Sequence, residues 1–159
     1  MPKGEAFVLV GHRHWGKSRT LEALSALSHG RPQKRTITIK SRHFFIRRTS
    51  NDDPLNPPPN SFTNFVEKLK PQSDRYLIVT LCPDFTDSLR KTKAILQDLA
   101  RKYELFFFVL RCKHGSDKEI SDDEIKRLKG FGEVELFPTK NAQAKVRAKA
   151  FKEFIASRL

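Results

Sequence analysis

VGHRHWGKS, residues 10–18, sets two glycines five positions apart, Gly11 and Gly16, and follows the second with Lys17 and Ser18. Between the glycines stand His12, Arg13, His14 and Trp15, where small residues would be expected. Upstream, AFVLV (6–10) is an unbroken apolar run, the pattern of a strand buried on both faces. Downstream, Leu21, Ala23, Leu24 and Leu27 recur at helical spacing until Gly30 and Pro32 stop the pattern. A glycine-bounded turn between a buried strand and a helix start aims successive backbone N–H groups at one point, where the helix dipole also favours negative charge. The stretch has the means to grip an anion, with backbone donors rather than the four interior side chains supplying the cradle.

The same alternation continues outward. TITIK (36–40) and HFFIRR (43–48) read as strands of a hairpin joined through Ser41-Arg42, neither of which favours the positive φ of a tight turn. SNDDPLNPPPN (50–60), with four prolines, is a surface loop, and Ser61 is placed to cap a short helix over 62–69. YLIVTLC (76–82) is a buried strand stopped by Pro83, followed by a helix over about residues 87–103 with Leu89, Leu96 and Leu99 inward. LFFFVLRC (105–112) is the most hydrophobic strand and is expected in the middle of the sheet. SDDEIKRL (121–128) carries a capping box, Ser121 with Glu124, and EVELF (133–137) is a last strand. A terminal amphipathic helix over 141–159 is expected to turn Val146, Ala150, Phe151, Phe154, Ile155 and Leu159 inward. Strands alternating with helices predict one α/β domain over 1–159, a three-layer sandwich with a mainly parallel sheet. In such sheets ligands sit beyond the carboxyl ends of the strands, where the opening stretch lies.

Composition narrows the class. Thirteen phenylalanines argue for a packed core, and the six-residue run LFFFVL (105–110) is far short of the ~18 residues a membrane span needs. The amino-terminal MPKGEAFVLVG lacks a secretory pattern, so a cytoplasmic protein is expected. Cys82 and Cys112 have no CxxC spacing and read as reduced thiols near strand ends. The net charge of +13 is uneven: before Asn51, eleven Lys or Arg face only Glu5 and Glu22, a net of +9 (11 − 2). That excess suits phosphate, nucleic acid or an acidic protein partner, or is simply a solvated face.

Gly11-x-x-x-x-Gly16-Lys17-Ser18 satisfies GxxxxGK[ST] after a strand and before a helix, and so resembles the P-loop (Walker A) NTPase superfamily. The resemblance implies that Gly11, His12, Arg13, His14, Trp15, Gly16, Lys17, Ser18 and Arg19 surround the phosphates of GTP or ATP. It implies that Lys17 neutralises phosphate and transition-state charge, and that the Ser18 hydroxyl ligates Mg²⁺. Arg13 either adds charge or faces solvent. Trp15 either shields the phosphates, stacks on a partner or packs on a neighbouring loop. His12 and His14 have no acidic or cysteine neighbour in sequence to form a metal site with.

The element order over nearly the whole chain is similar to that of Ras-like small GTPases. On that resemblance a DxxG should follow the hairpin, where TSNDDPLN supplies Asp52 and Asp53 as candidate Mg²⁺ ligands, or turn formers, without the glycine. The base-reading NKxD falls on CKHG, keeping Lys113 but with Gly115 in the aspartate's place, and the late SAK motif keeps only Lys140. Loss of that aspartate weakens guanine selection, because its two oxygens tell guanine from adenine. The Walker B position falls in LIVTLCPD, where Thr80 or Asp84 could serve, unless Asp84 starts the next helix. Three functions fit: a slow NTP hydrolase or switch; a small phosphotransferase, although Arg90, Arg101 and Arg111 are scattered and form no recognisable lid; and a non-catalytic module contacting nucleic acid or an acidic protein through RPQKRTITIKSRHFFIRR (31–48).

Overall fold

The computed structural model describes residues 2–12, 14–28, 36–51, 62–86, 91–113, 118–138 and 142–159. Arg13, Asp52, Asp53, Ser61, Leu89, Arg90, Gly115 and Lys140 lie outside the described residues. The elements run β1 (Gly4–Val10), α1 (Lys17–Leu27), β2 (Thr36–Ile39), β3 (Arg42–Arg47), α2 (Phe62–Lys68), β4 (Tyr76–Leu81), α3 (Thr92–Lys102), β5 (Tyr103–Leu110), α4 (Asp122–Lys129), β6 (Gly132–Phe137) and α5 (Ala144–Ala156).

All six strands form one sheet in the order β2-β3-β4-β1-β5-β6. β2 pairs antiparallel with β3, and every other pairing is parallel. β1 holds the inner place its apolar run demands, with Ala6 through Val10 wholly buried. Its side chains alternate: Ala6, Val8 and Val10 join the core formed with α2, α3 and α4, while Phe7 and Leu9 join the core formed with α1 and α5. Helices on both faces complete the three-layer sandwich. The phenylalanines fill the second core as interlocked rings. Phe7 stacks on Phe106 at 5.1 Å between centroids, and Phe108 meets Phe151 at 5.2 Å and Phe154 at 5.4 Å.

Four sequence expectations change. β5 is not the middle strand; β4 and β1 are, because β4 enters between the hairpin and β1. The Ras-like order expected from the chain is therefore not what this sheet shows: it required the hairpin to end beside the loop, and β4 ends there instead. The hairpin turn is Lys40-Ser41, one residue earlier than expected, with Ile39 opposite Arg42 and both turn residues left-handed at φ 50° and 63°. Finally, Val146 is 51% exposed, and Arg147 takes the inward position on α5. The capping box holds as expected: Ser121 Oγ accepts from Glu124 N–H, and the Glu124 carboxylate accepts from Ser121 N–H.

Candidate phosphate-binding site

The loop begins where β1 ends. Gly11 N–H donates to Leu81 O at 3.0 Å, which extends the β1–β4 ladder by one bond and fixes the loop's first glycine to the end of β4. The loop turns through His14, left-handed at φ 65°, and Gly16, left-handed at φ 89°, and Gly16 is the N-cap of α1. α1 has no side-chain cap and no acidic residue in its first turn, so no side chain of that turn offsets the positive end of the helix.

Lys17 starts the helix and folds back. Its ammonium donates to Gly11 O and, at 3.2 Å, to His12 O, and the residue is 7% exposed. The charge is thus held inside the curl of the loop. Ser18 is exposed on the first turn of α1. Arg19 is exposed beside it. Trp15 is 6% exposed and packs in the core shared with α2–α4. His14 is exposed.

His12 has companions that sequence distance hid. Its Nε2 lies 3.1 Å from Glu124 Oε2, and Cys82 Sγ lies 3.6 Å from its Nδ1. Thiol and carboxylate thus meet opposite edges of one imidazole and cannot share a single ion with it. Among the described residues, no group of three or more His, Cys, Asp or Glu side chains is placed to hold a metal. Glu124 serves both helix and loop: Oε1 completes the α4 capping box, and both oxygens lie within reach of His12 Nε2, Oε2 the closer.

Near the end of β4, Thr80 Oγ1, one of the two Walker B candidates, donates to Arg48 O at 3.1 Å and ties the segment leaving β3 to β4. Asp84 Oδ1 accepts from Thr86 N–H at 3.1 Å and Thr86 Oγ1 at 2.8 Å, committing one carboxylate oxygen to its own turn. Asn51 Oδ1 accepts from Cys82 N–H at 2.7 Å and its Nδ2 donates to Cys82 O at 3.3 Å, clamping the segments that leave β3 and β4. Lys113 follows β5, where Cys112 bridges Glu119 in a short antiparallel fold-back. The two described arginines of the three considered for a lid do not converge. Arg101 pairs with Asp98 at the end of α3 away from the loop, and Arg111 pairs with Asp122 beyond β5. The hairpin's cations are engaged as well: Lys40 donates to Ala156 O, Arg42 lies over Tyr76, Arg47 lies over Phe62 and Phe65, and Arg48 donates to Ser25.

Two residues of this site were not singled out from the sequence. Arg147 is 8% exposed; its Nε donates to Thr20 Oγ1 at 2.9 Å, Nη1 to Ala142 O at 2.5 Å, and Nη2 reaches Gly16 O at 3.5 Å. Thr20, wholly buried, passes the contact on, its hydroxyl donating to Gly16 O at 2.7 Å. The available signal was position: Arg147 precedes Phe151 and Ile155 by four and eight residues, on the stripe that turns inward.

A mainly parallel α/β sheet whose central strand runs through a GxxxxGKS loop into a helix is consistent with the P-loop nucleotide-binding fold. No protein-family model matches the chain, and no curated protein matches it. Among solved structures, it is similar to a gluconokinase from Sinorhizobium meliloti 1021 over 98% of this chain and 94% of that chain, with 14% identity and a TM-score of 0.40. Among the described residues, no helix is long and apolar enough to cross a membrane.

Proposed function

We propose that the protein binds the phosphate chain of a Mg²⁺–nucleoside triphosphate, GTP or ATP, in the loop Gly11–Ser18. One observation carries this reading: the Lys17 ammonium is held within the loop by the carbonyls of Gly11 and His12, at a helix N-terminus with no acidic residue in its first turn. A phosphate entering the loop offers the Lys17 ammonium charged oxygens, and charge-assisted bonds are stronger than bonds to carbonyls. The Ser18 hydroxyl supplies one ligand to the Mg²⁺ that accompanies the phosphates, and the metal's other positions fall to phosphate and water. Slow hydrolysis or a switch is the finer reading, since Thr80 and one Asp84 oxygen are engaged in structure rather than aimed at an attacking water. Titrating Mg²⁺–GTP and Mg²⁺–ATP while following Trp15, the chain's single tryptophan, tests it. Saturable binding lost in Lys17→Ala is the expected result; no response of wild type to either nucleotide refutes it.

Phosphotransfer to an acceptor is the second reading, favoured by the sheet order. With β4 between β3 and β1, the segment leaving β3 stands two strand spacings, about 10 Å, from β1. In this reading the acceptor sits beyond the end of β4, beside the phosphates. Labelled γ-phosphate that reaches water alone supports the hydrolase, and label on a small hydroxylated acceptor supports the transferase.

A further inference from the structure

Arg147 is a buried cation whose three acceptors, Thr20 Oγ1, Ala142 O and Gly16 O, are all neutral. Burying a guanidinium is costly without a counter-ion. Burial first, and the positive charge of Arg19 second, hold it below the ordinary arginine range. A hydrophobic side chain would fill the same place on α5 at lower cost, as Ala148, Phe151 and Ile155 do further along. What the guanidinium uniquely supplies is a fork that reaches three points at once. Two of them, Gly16 and Thr20, are the N-cap and first turn of α1, the part of the loop that would face phosphate.

From this geometry we infer that α5 is part of the phosphate site, and that Arg147 is a positioning residue that fixes the loop through Thr20 and Gly16. The relay has a direction. Arg147 Nε donates to Thr20 Oγ1, which is thereby oriented to donate its own proton to Gly16 O. That carbonyl also accepts Thr20 N–H at 3.0 Å, the first bond of α1. Three donors on one carbonyl hold the peptide after Gly16 in a single orientation, and with it the amide of Lys17. The guanidinium also limits residue 16, since a Cβ there would stand 2.7 Å from Arg147 Nη2. An anion bound at the loop would lower the repulsion between Arg147 and Arg19, so binding and the seating of α5 reinforce each other.

The inference rests on the nucleotide-binding reading, and two separate readouts keep their failures apart. Wild type, Arg147→Met, Arg147→Lys, Thr20→Val and Thr20→Val/Arg147→Met are compared at a temperature where circular dichroism shows each to be folded. Without nucleotide, acrylamide quenching of Trp15 is expected to rise in Arg147→Met and in Thr20→Val, and no further in the double variant, because both cut one relay. With Mg²⁺–ATP or Mg²⁺–GTP, affinity is expected to fall about 10-fold or more in Arg147→Met. Arg147→Lys should regain part of that affinity through its charge while its quenching stays high, since it lacks the fork. Wild-type quenching in Arg147→Met, additive effects in the double variant, or full recovery of both readouts by lysine overturns the relay. If Arg147→Met does not fold, Thr20→Val carries the test alone, because it leaves the guanidinium in place. A wild type that binds neither nucleotide, with quenching still rising in Arg147→Met, refutes the nucleotide reading and leaves the relay standing.

Discussion

Gly16 and Gly11 are alike in the motif and unlike in the structure. Gly16 is left-handed at φ 89°, and a Cβ there would meet the Arg147 guanidinium at 2.7 Å; at Gly11 a Cβ would meet Lys17 Cγ and Trp15 Cβ at 3.4 Å, an ordinary contact. Gly16→Ala is therefore expected to cost about 1–2 kcal/mol of stability for the left-handed backbone alone. Gly11→Ala should stay within about 0.5 kcal/mol, the range of substitutions that break no specific feature. Urea unfolding of the two variants checks this, and equal losses would show that the loop is held differently. The motif's glycines and Lys17 were legible because the pattern needs nothing but local sequence. His12 was not, because its partners Glu124 and Cys82 lie 112 and 70 residues away and only the fold brings them together. Arg147 was hidden for another reason. Helical spacing placed it inward, but an arginine is read as solvated by default, so Val146 was assigned the buried place that Arg147 holds.

The turn between β2 and β3 pairs a tight geometry with unsuitable residues. Lys40 and Ser41 both occupy the left-handed region, as a two-residue turn matched to strand twist requires. Ser41→Gly removes the penalty at the second position and leaves the Lys40 bond to Ala156 O intact. It should raise stability by about 0.5–1 kcal/mol, read as a higher urea midpoint with unchanged slope. Tyr103, which opens β5, ties the sheet's other end, its hydroxyl donating to Asp74 O at 2.5 Å. Burial first, and the Asp74 charge second, push its phenol well above the ordinary range. A raised folded-state value favours the neutral phenol, so its contribution is complete below about pH 10 and is lost as pH rises through that higher value. Tyr103→Phe should thus unfold less steeply above pH 10 than wild type, while being weaker by about 1 kcal/mol at neutral pH for the missing bond. An alkaline limb of equal steepness in both proteins would assign the pH dependence to other groups. Most elements were legible from period alone: β1, β4 and β5 as apolar runs, α4 from its capping box, α5 from its stripe. The hairpin was placed one residue off because the sequence offers no glycine or asparagine to mark its turn.

Sheet order was the least legible property of the whole molecule, for a physical reason. β1, β4 and β5 carry the same signature, continuous burial, so their sequences state that each is internal but not which lies beside which. The resemblance to small GTPases put the segment after the hairpin beside the loop, whereas β4 ends there. Charge is the other whole-molecule property, and it yields a test independent of nucleotide base. A chain of net charge +13 repels itself, and neutral salt should raise its melting temperature by screening. A polyphosphate should add a second, saturable increment when the ionic strength is held constant with sodium chloride. Linkage sets its size at about 2.7 kcal/mol when the ligand is in hundredfold excess over its dissociation constant. Lys17→Ala should retain the response to sodium chloride and lose most of the response to tripolyphosphate, because one is a property of the surface and the other of the loop. If tripolyphosphate stabilises Lys17→Ala and wild type alike, the anion is held by diffuse surface charge, and the cradle between β1 and α1 is not where it binds.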